Sequence, residues 1–185
     1  METFMSTPLS GYVVNVSRSS THSLAKYNEA SIRLIAGFGV EGDAHAGEKV
    51  RHRYHVRKNP DRPNLCQVHL IHAELFDELS DFELQPGEMG ENITTRGIAL
   101  MDLPEGTLLR IGPDALIRLT GRRTPCSQLE QVRPGLRAAT TERVAGKAVF
   151  KAGVMGVVVE GGQVKPNDPI LIELPAPPHA ALKPV

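Results

Sequence analysis

The chain contains no tryptophan, few aromatic residues (4%) and only two cysteines among its 185 residues. Cys66 and Cys126 are too few for a disulfide framework, and nothing in the sequence points to an oxidising compartment, so both read as free thiols. Net charge is missing too, since 21 basic residues balance 21 acidic ones. That balance argues against broad nucleic-acid binding and against a polybasic membrane surface. No apolar run approaches the roughly 20 residues that a membrane-spanning helix needs. The first ten residues lack the basic start and apolar stretch of a secretory signal. A soluble cytoplasmic protein is the expectation.

What the chain does have is strand and turn chemistry. Its 17 glycines and 14 prolines punctuate short Val/Ile/Leu runs, and 41% of its residues are hydrophobic, enough for a substantial core. Strands are expected at 11–17, 31–35, 67–71, 91–95, 107–111, 115–120, 154–160 and 169–174. The runs flanking Gly112-Pro113-Asp114 read as a hairpin. The clearest helix lies over 72–79, where Leu75, Phe76 and Leu79 share a face. With crossover helices largely absent, the fold class is mainly β with a few short helices, a closed or nearly closed β-barrel. The domain plan is a flexible N-terminus (1–10), one barrel domain (11–174) and a disordered Pro/Ala-rich tail (175–185).

Cys126 is the sharpest site candidate. It follows a strand and a Pro-containing turn, with Arg122 and Arg123 just upstream, and residues 127–131 fit a helical turn. Guanidinium charge together with a helix N-terminus is an arrangement that holds a thiolate. A nucleophile, a sulfur carrier and a soft-metal ligand all need that species; the alternative is a small buried thiol. Cys66, with no arginine beside it, reads as structural.

Residues 37–47 hold four glycines, the density of a backbone that turns tightly or approaches something closely. Asp43 and His45 sit there, placed to orient a ligand or a neighbouring backbone. His52, His55, His69 and His72 invite a zinc reading, but the spacing is poor: no HExxH or paired-Cys motif occurs, and cations flank His52 and His55. The basic run 51–58 suits capture of an anionic group such as phosphate. Asn92, Thr94, Thr95 and Arg96 offer hydrogen-bonding side chains for a polar pocket, or the polar face of a hairpin.

Taken in order, five segments resemble the MOSC family, named for the C-terminal domain of molybdenum cofactor sulfurases. They are Gly39-Val40-Glu41-Gly42-Asp43-Ala44-His45, Gln67-Val68-His69-Leu70-Ile71-His72, Pro86 through Thr95, Thr120-Gly121-Arg122-Arg123-Thr124-Pro125-Cys126, and Val154-Met155-Gly156-Val157-Val158. The likeness extends to small bacterial stand-alone members. It implies a barrel like that of pyruvate kinase, with Cys126 as the family's functional cysteine. In relatives that reduce N-hydroxylated bases and amidoximes, this thiolate ligates molybdenum in the pterin cofactor. In the sulfurases the domain follows a pyridoxal-phosphate desulfurase and was proposed to pass on sulfur. This chain has no desulfurase segment, so no pyridoxal phosphate is expected in it, and its two cysteines cannot build an iron–sulfur cluster. An electron donor, or a cysteine desulfurase, would be a separate protein. Arg123 aligns with the family arginine, whereas relatives commonly carry an apolar residue at Arg122 and Asn at Thr124.

The resemblance therefore implies molybdenum cofactor (molybdopterin) bound through Cys126. Arg123, Arg96, Asn92 and Thr94 suit its phosphate and pterin by residue type, with Asp43 and His45 nearby. The expected activity is reduction of N-hydroxylated or N-oxide small molecules. A sulfur carrier with a persulfide on Cys126, and a non-catalytic binder of the cofactor or another anion, remain as alternatives.

Overall fold

The computed structural model describes residues 10–51, 56–57 and 59–185. The N-terminal segment through residue 9 and most of the basic run, including His52 and His55, lie outside the described residues. In chain order the first strands are β1 (Ser10–Arg18), β2 (Tyr27–Glu29), β3 (Ile32–Ile35), β4 (Gly39–Val40) and β5 (Val68–His72). After β5 come helix α1 (Glu74–Glu78), strand β6 (Ile93–Arg96), a 3-10 turn (Leu100–Asp102) and the hairpin β7 (Leu108–Ile111) and β8 (Ala115–Arg122). Two short helices follow, α2 (Leu129–Val132) and α3 (Leu136–Ala139), then β9 (Thr141–Val144) and β10 (Lys147–Phe150). The last strands are β11 (Val154–Glu160), β12 (Gly162–Val164) and β13 (Pro169–Glu173).

Seven strands close on themselves in the order β13, β7, β8, β11, β5, β6, β1, with β1 returning to β13. Closure leaves no open sheet edge, which is how an all-β chain avoids edge pairing. One neighbour pair is parallel: Leu70, Ile71 and His72 of β5 face Ile93, Thr94 and Thr95 of β6. Parallel neighbours need a crossover, and the segment carrying α1 supplies it. Beside the barrel stand a three-stranded sheet (β12, β3, β4) and the hairpin β9–β10. β2, β4, β9, β10 and β12 lack a strong apolar alternation and are absent from the sequence-based expectation.

The barrel interior is filled by alternate residues, among them Val13, Leu70, Ile93, Leu109, Ile117, Leu119, Val154 and Ile170. A second cluster on the outer face joins Ile71, Leu75, Met89, Leu129, Leu136 and Ala152. It seats α2 and α3, and hence the segment bearing Cys126, against β5. Leu129→Ala should therefore lower stability by about 2–5 kcal/mol and loosen that segment. Denaturant unfolding together with faster alkylation of Cys126 would show it; unchanged alkylation would mean the cluster does not position the thiol.

Residues 175–185 differ from their expected disorder. The Glu105 N–H donates to Ala180 O at 2.8 Å, the Arg122 N–H to Lys183 O at 2.8 Å, and the Val185 N–H to Arg122 O at 3.2 Å. Leu182 joins the core. Composition alone concealed this, because one apolar anchor and a few main-chain bonds to Glu105 and Arg122 suffice to dock a proline-rich segment.

Candidate functional site

A register shift decides what the end of β8 presents. Gly156 of β11 faces Leu119, but the next residue of β11, Met155, faces Gly121, so Thr120 is one extra residue. Such a bulge re-aims every side chain beyond it. Past it, Arg122 shares a face with the core residue Val154, which in turn faces Leu70, so Arg122 points toward the barrel interior. Arg123 points the other way, into an outer cleft of 930 Å³. Without the bulge the two arginines would exchange faces.

Cys126 lies on this cleft, in the loop between β8 and α2. Its sulfur is 3.7 Å from Arg123 Nη2, and its thiol can donate to Gln128 Oε1, also at 3.7 Å. The helical turn starts at Leu129, whose N–H bonds Cys126 O. The sulfur thus meets two side chains, where a helix N-terminus had been expected.

Arg123 is only 9% exposed, and its Nη1 has no hydrogen-bond partner. Burial pulls its pKa down, opposed by Cys126 and Glu91. Its main chain is pinned by an N–H bond to Gly153 O at 3.0 Å. Gly153 has φ +92°, and a side chain there would strike Leu70 O and the His69 ring; glycine is required on both counts. Glu91 is fully buried beneath the cleft and accepts from the Gly87 N–H and, at 3.1 Å, the Thr94 hydroxyl. Its Oε2 has no partner, and burial pushes its pKa up.

The floor of the cleft rests on a buried ion pair. Lys26 Nζ lies 2.7 Å from Asp43 Oδ2, with the two side chains 3% and 2% exposed. Asp43 also accepts from Asn92 Nδ2 at 2.9 Å, from the Ser19 N–H at 3.3 Å and from the His45 N–H at 2.9 Å. Burial pushes the Asp43 pKa up, but the bonds from His45 and Lys26 outweigh it and hold the carboxyl well below the usual range. Asn92 accepts in turn from the His69 N–H at 3.2 Å and donates to Ser17 O at 3.1 Å. One amide thereby ties β1, β5 and the Asp43 loop together.

His69 lies at the cleft, its Nε2–H donating to Ala152 O at 2.8 Å. Burial, with Arg123 nearby, keeps its pKa well below the ordinary value, so it is neutral. A group of depressed pKa stabilises the fold above its unfolded value and loses that contribution as pH falls. Stability should therefore decline below about pH 6.5 through His69, and further below about pH 4 through Asp43. His69→Gln should flatten the first decline in a pH series of unfolding curves; an unaltered curve would contradict the assignment.

Of the residues singled out in the sequence, Cys126, Arg123, Asn92 and His45 line the cleft, and Asp43 and Thr94 lie in its buried support. Arg96 does not join them: it is partly exposed and pairs with Asp77 of α1 at 3.0 Å. Arg57, from the described end of the basic run, does reach the cleft. Cys66 also lies on its wall, where burial pushes the thiol pKa up to about 11, consistent with an unreactive thiol. Sequence reading missed Lys26, Gln128 and Arg137. Among the described residues, no three His, Cys, Asp or Glu are grouped to hold a metal ion. Lys26, Arg57, Arg123 and Arg137 line the cleft together with Cys126, and no Asp or Glu side chain is among the described lining.

Fold and site together define a seven-stranded barrel protein with a cationic cleft that holds the Cys126 thiol beside Arg123. The MOSC domain model matches residues 52–171, and the chain belongs to the MOSC-domain family. The fold is shared with the YuaD protein from Bacillus subtilis, with TM-score 0.75 and 20% identity, covering 92% of this chain and 99% of that one. YiiM from Geobacillus stearothermophilus matches with TM-score 0.62 and 19% identity, covering 92% of this chain and 77% of that one. YiiM from Escherichia coli matches with TM-score 0.59 and 19% identity, covering 94% and 74%. The search of curated proteins found no match. No described helix is long and apolar enough to cross a membrane.

Proposed function

We propose that the Cys126 cleft binds molybdenum cofactor and serves the reduction of N-hydroxylated or N-oxide small molecules, with electrons from a separate protein. The observation that carries this reading is the pairing of Cys126 with Arg123, whose buried Nη1 awaits an acceptor in a cleft lined by cations. The donor set fits the group. Molybdenum in this setting takes a soft anionic sulfur, which Cys126 supplies, and the cofactor's phosphate asks for guanidinium and ammonium partners. Arg123, Arg57 and Arg137 would be the guanidinium partners, with Lys26 held by Asp43 in the floor, and Gln128 suits the pterin's polar edge. Bound there, the cofactor would supply two-electron oxygen-atom chemistry.

The chain's own residues bind and orient. The Lys26–Asp43 pair and Asn92 hold the floor rigid, Arg123 places positive charge against the sulfur, and neutral His69 adds no charge of its own. The test is to purify the protein from a host that makes the cofactor and to assay the oxidised pterin released on denaturation. Stoichiometric pterin supports the reading. Pterin-free protein that instead gains one sulfur on Cys126, after incubation with a cysteine desulfurase and cysteine, would replace it with the sulfur-carrier role.

A further inference from the structure

The bulge that turns Arg123 outward sends Arg122 into a different space, a cleft of 530 Å³ at one mouth of the barrel. His72, at the end of β5, reaches the same mouth, as do Glu74 of α1 and the loop from Gly97 to Asp102. Three buried polar atoms here, each from a different element, lack partners: Arg122 Nε, His72 Nδ1 and Glu74 Oε2. Their remaining bonds hold the side chains in place. Arg122 Nη2 donates to Met101 O at 2.7 Å, and Glu74 Oε1 accepts from the Gly97 N–H at 2.7 Å. Barrel mouths are common ligand sites, and a buried polar atom left unpaired in a native protein takes a partner from water, an ion or a ligand.

The charges state what that occupant is. Lys151 and Glu78 satisfy one another at 2.9 Å. That leaves the Arg122 guanidinium, with no carboxylate partner among the described residues, facing Glu74, Asp102 and Glu142. A simple anion would meet three carboxylates, and a simple cation would leave a half-buried guanidinium unmatched. Ile98, Leu100, Met101 and Val149 supply an apolar wall. His72, whose pKa burial lowers, adds a neutral hydrogen-bonding group.

We propose that this mouth is a second ligand site, separate from the Cys126 cleft, for a small zwitterion with an apolar body, of which an α-amino acid is the simplest kind. The ligand's carboxylate takes the Arg122 guanidinium, its ammonium takes Glu74, and its side chain lies on Ile98 and Met101. The two sites share the end of β8, because Arg122 and Arg123 are consecutive residues on opposite faces. The proposal does not depend on the cofactor reading.

The experiment titrates the full chain with leucine by calorimetry, with isoamylamine and isocaproate as probes that lack its carboxylate or its ammonium group. Leucine should bind and perturb the methyl resonances of Ile98 and Met101, and each truncated probe should bind at least about tenfold more weakly. Arg122→Gln should weaken leucine by a similar factor, whereas Cys126→Ser should leave it unchanged. The probe comparison is made on the unaltered protein, so it stands even where a variant folds poorly. No binding at millimolar leucine, equal binding of all three probes, or perturbation confined to Leu24 and Met155 beside the Cys126 cleft would overturn the proposal.

Discussion

Asp43→Ala should lower stability by roughly 3–5 kcal/mol, because it strands the Lys26 ammonium in the interior. For a chain of this size that is a fall in Tm of roughly 6–20 °C. The magnitude follows from burial. Both side chains are almost fully enclosed, and Asp43 accepts from Lys26, Asn92 and the His45 and Ser19 N–H groups together. The pair itself need not be worth so much, since desolvation offsets most of its attraction. A double replacement, Lys26→Met with Asp43→Leu, should therefore regain part of the loss, but not all, because the N–H donors stay unmet. Thermal unfolding of the three proteins checks this. Asp43→Ala with an unchanged Tm would mean that the pair is solvated and not the floor of the site.

The second large effect concerns Arg123. Arg123→Ala should abolish measurable retention of an anionic ligand in the cleft, whereas Arg96→Ala should leave it unchanged. A charge-assisted bond from a buried guanidinium is worth about 1.5–3 kcal/mol, or roughly 10- to 150-fold in affinity. Arg96 sits in a solvent-screened surface pair with Asp77, away from the cleft. Arg123→Lys should restore part of the binding through charge but lose the planar fork. Inorganic phosphate and molybdate serve as probes, read by competition or by protection of Cys126 from alkylation. Equal losses for Arg123→Ala and Arg96→Ala would show that net charge, and not the cleft, holds the ligand.

These contrasts bear on what the sequence could disclose. The barrel was legible because its interior strands, β1, β5, β7, β8, β11 and β13, carry branched apolar residues bounded by Gly and Pro turns. The short pairings were not, since β4 and β12 are only two and three residues long. Cys126 and Arg123 stood out because thiol, proline and arginine are adjacent in the chain. Arg96 looked equally suitable by type, but its strand turns it toward α1, and residue type carries no direction. Lys26 left no mark at all: its burial depends on Asp43, seventeen residues away in the chain. The bulge at Thr120 was equally hidden. A strand read by simple alternation cannot say which of two neighbouring arginines faces the thiol.

The proposed cofactor site stands or falls with metal ligation by Cys126. The direct measurement is molybdenum per chain in protein purified from a host that makes the cofactor, for the native chain and for Cys126→Ser. Near-stoichiometric metal in the first and loss of most of it in the second, with both proteins folded, is the predicted result. Equal molybdenum in both, or none in either, would contradict it.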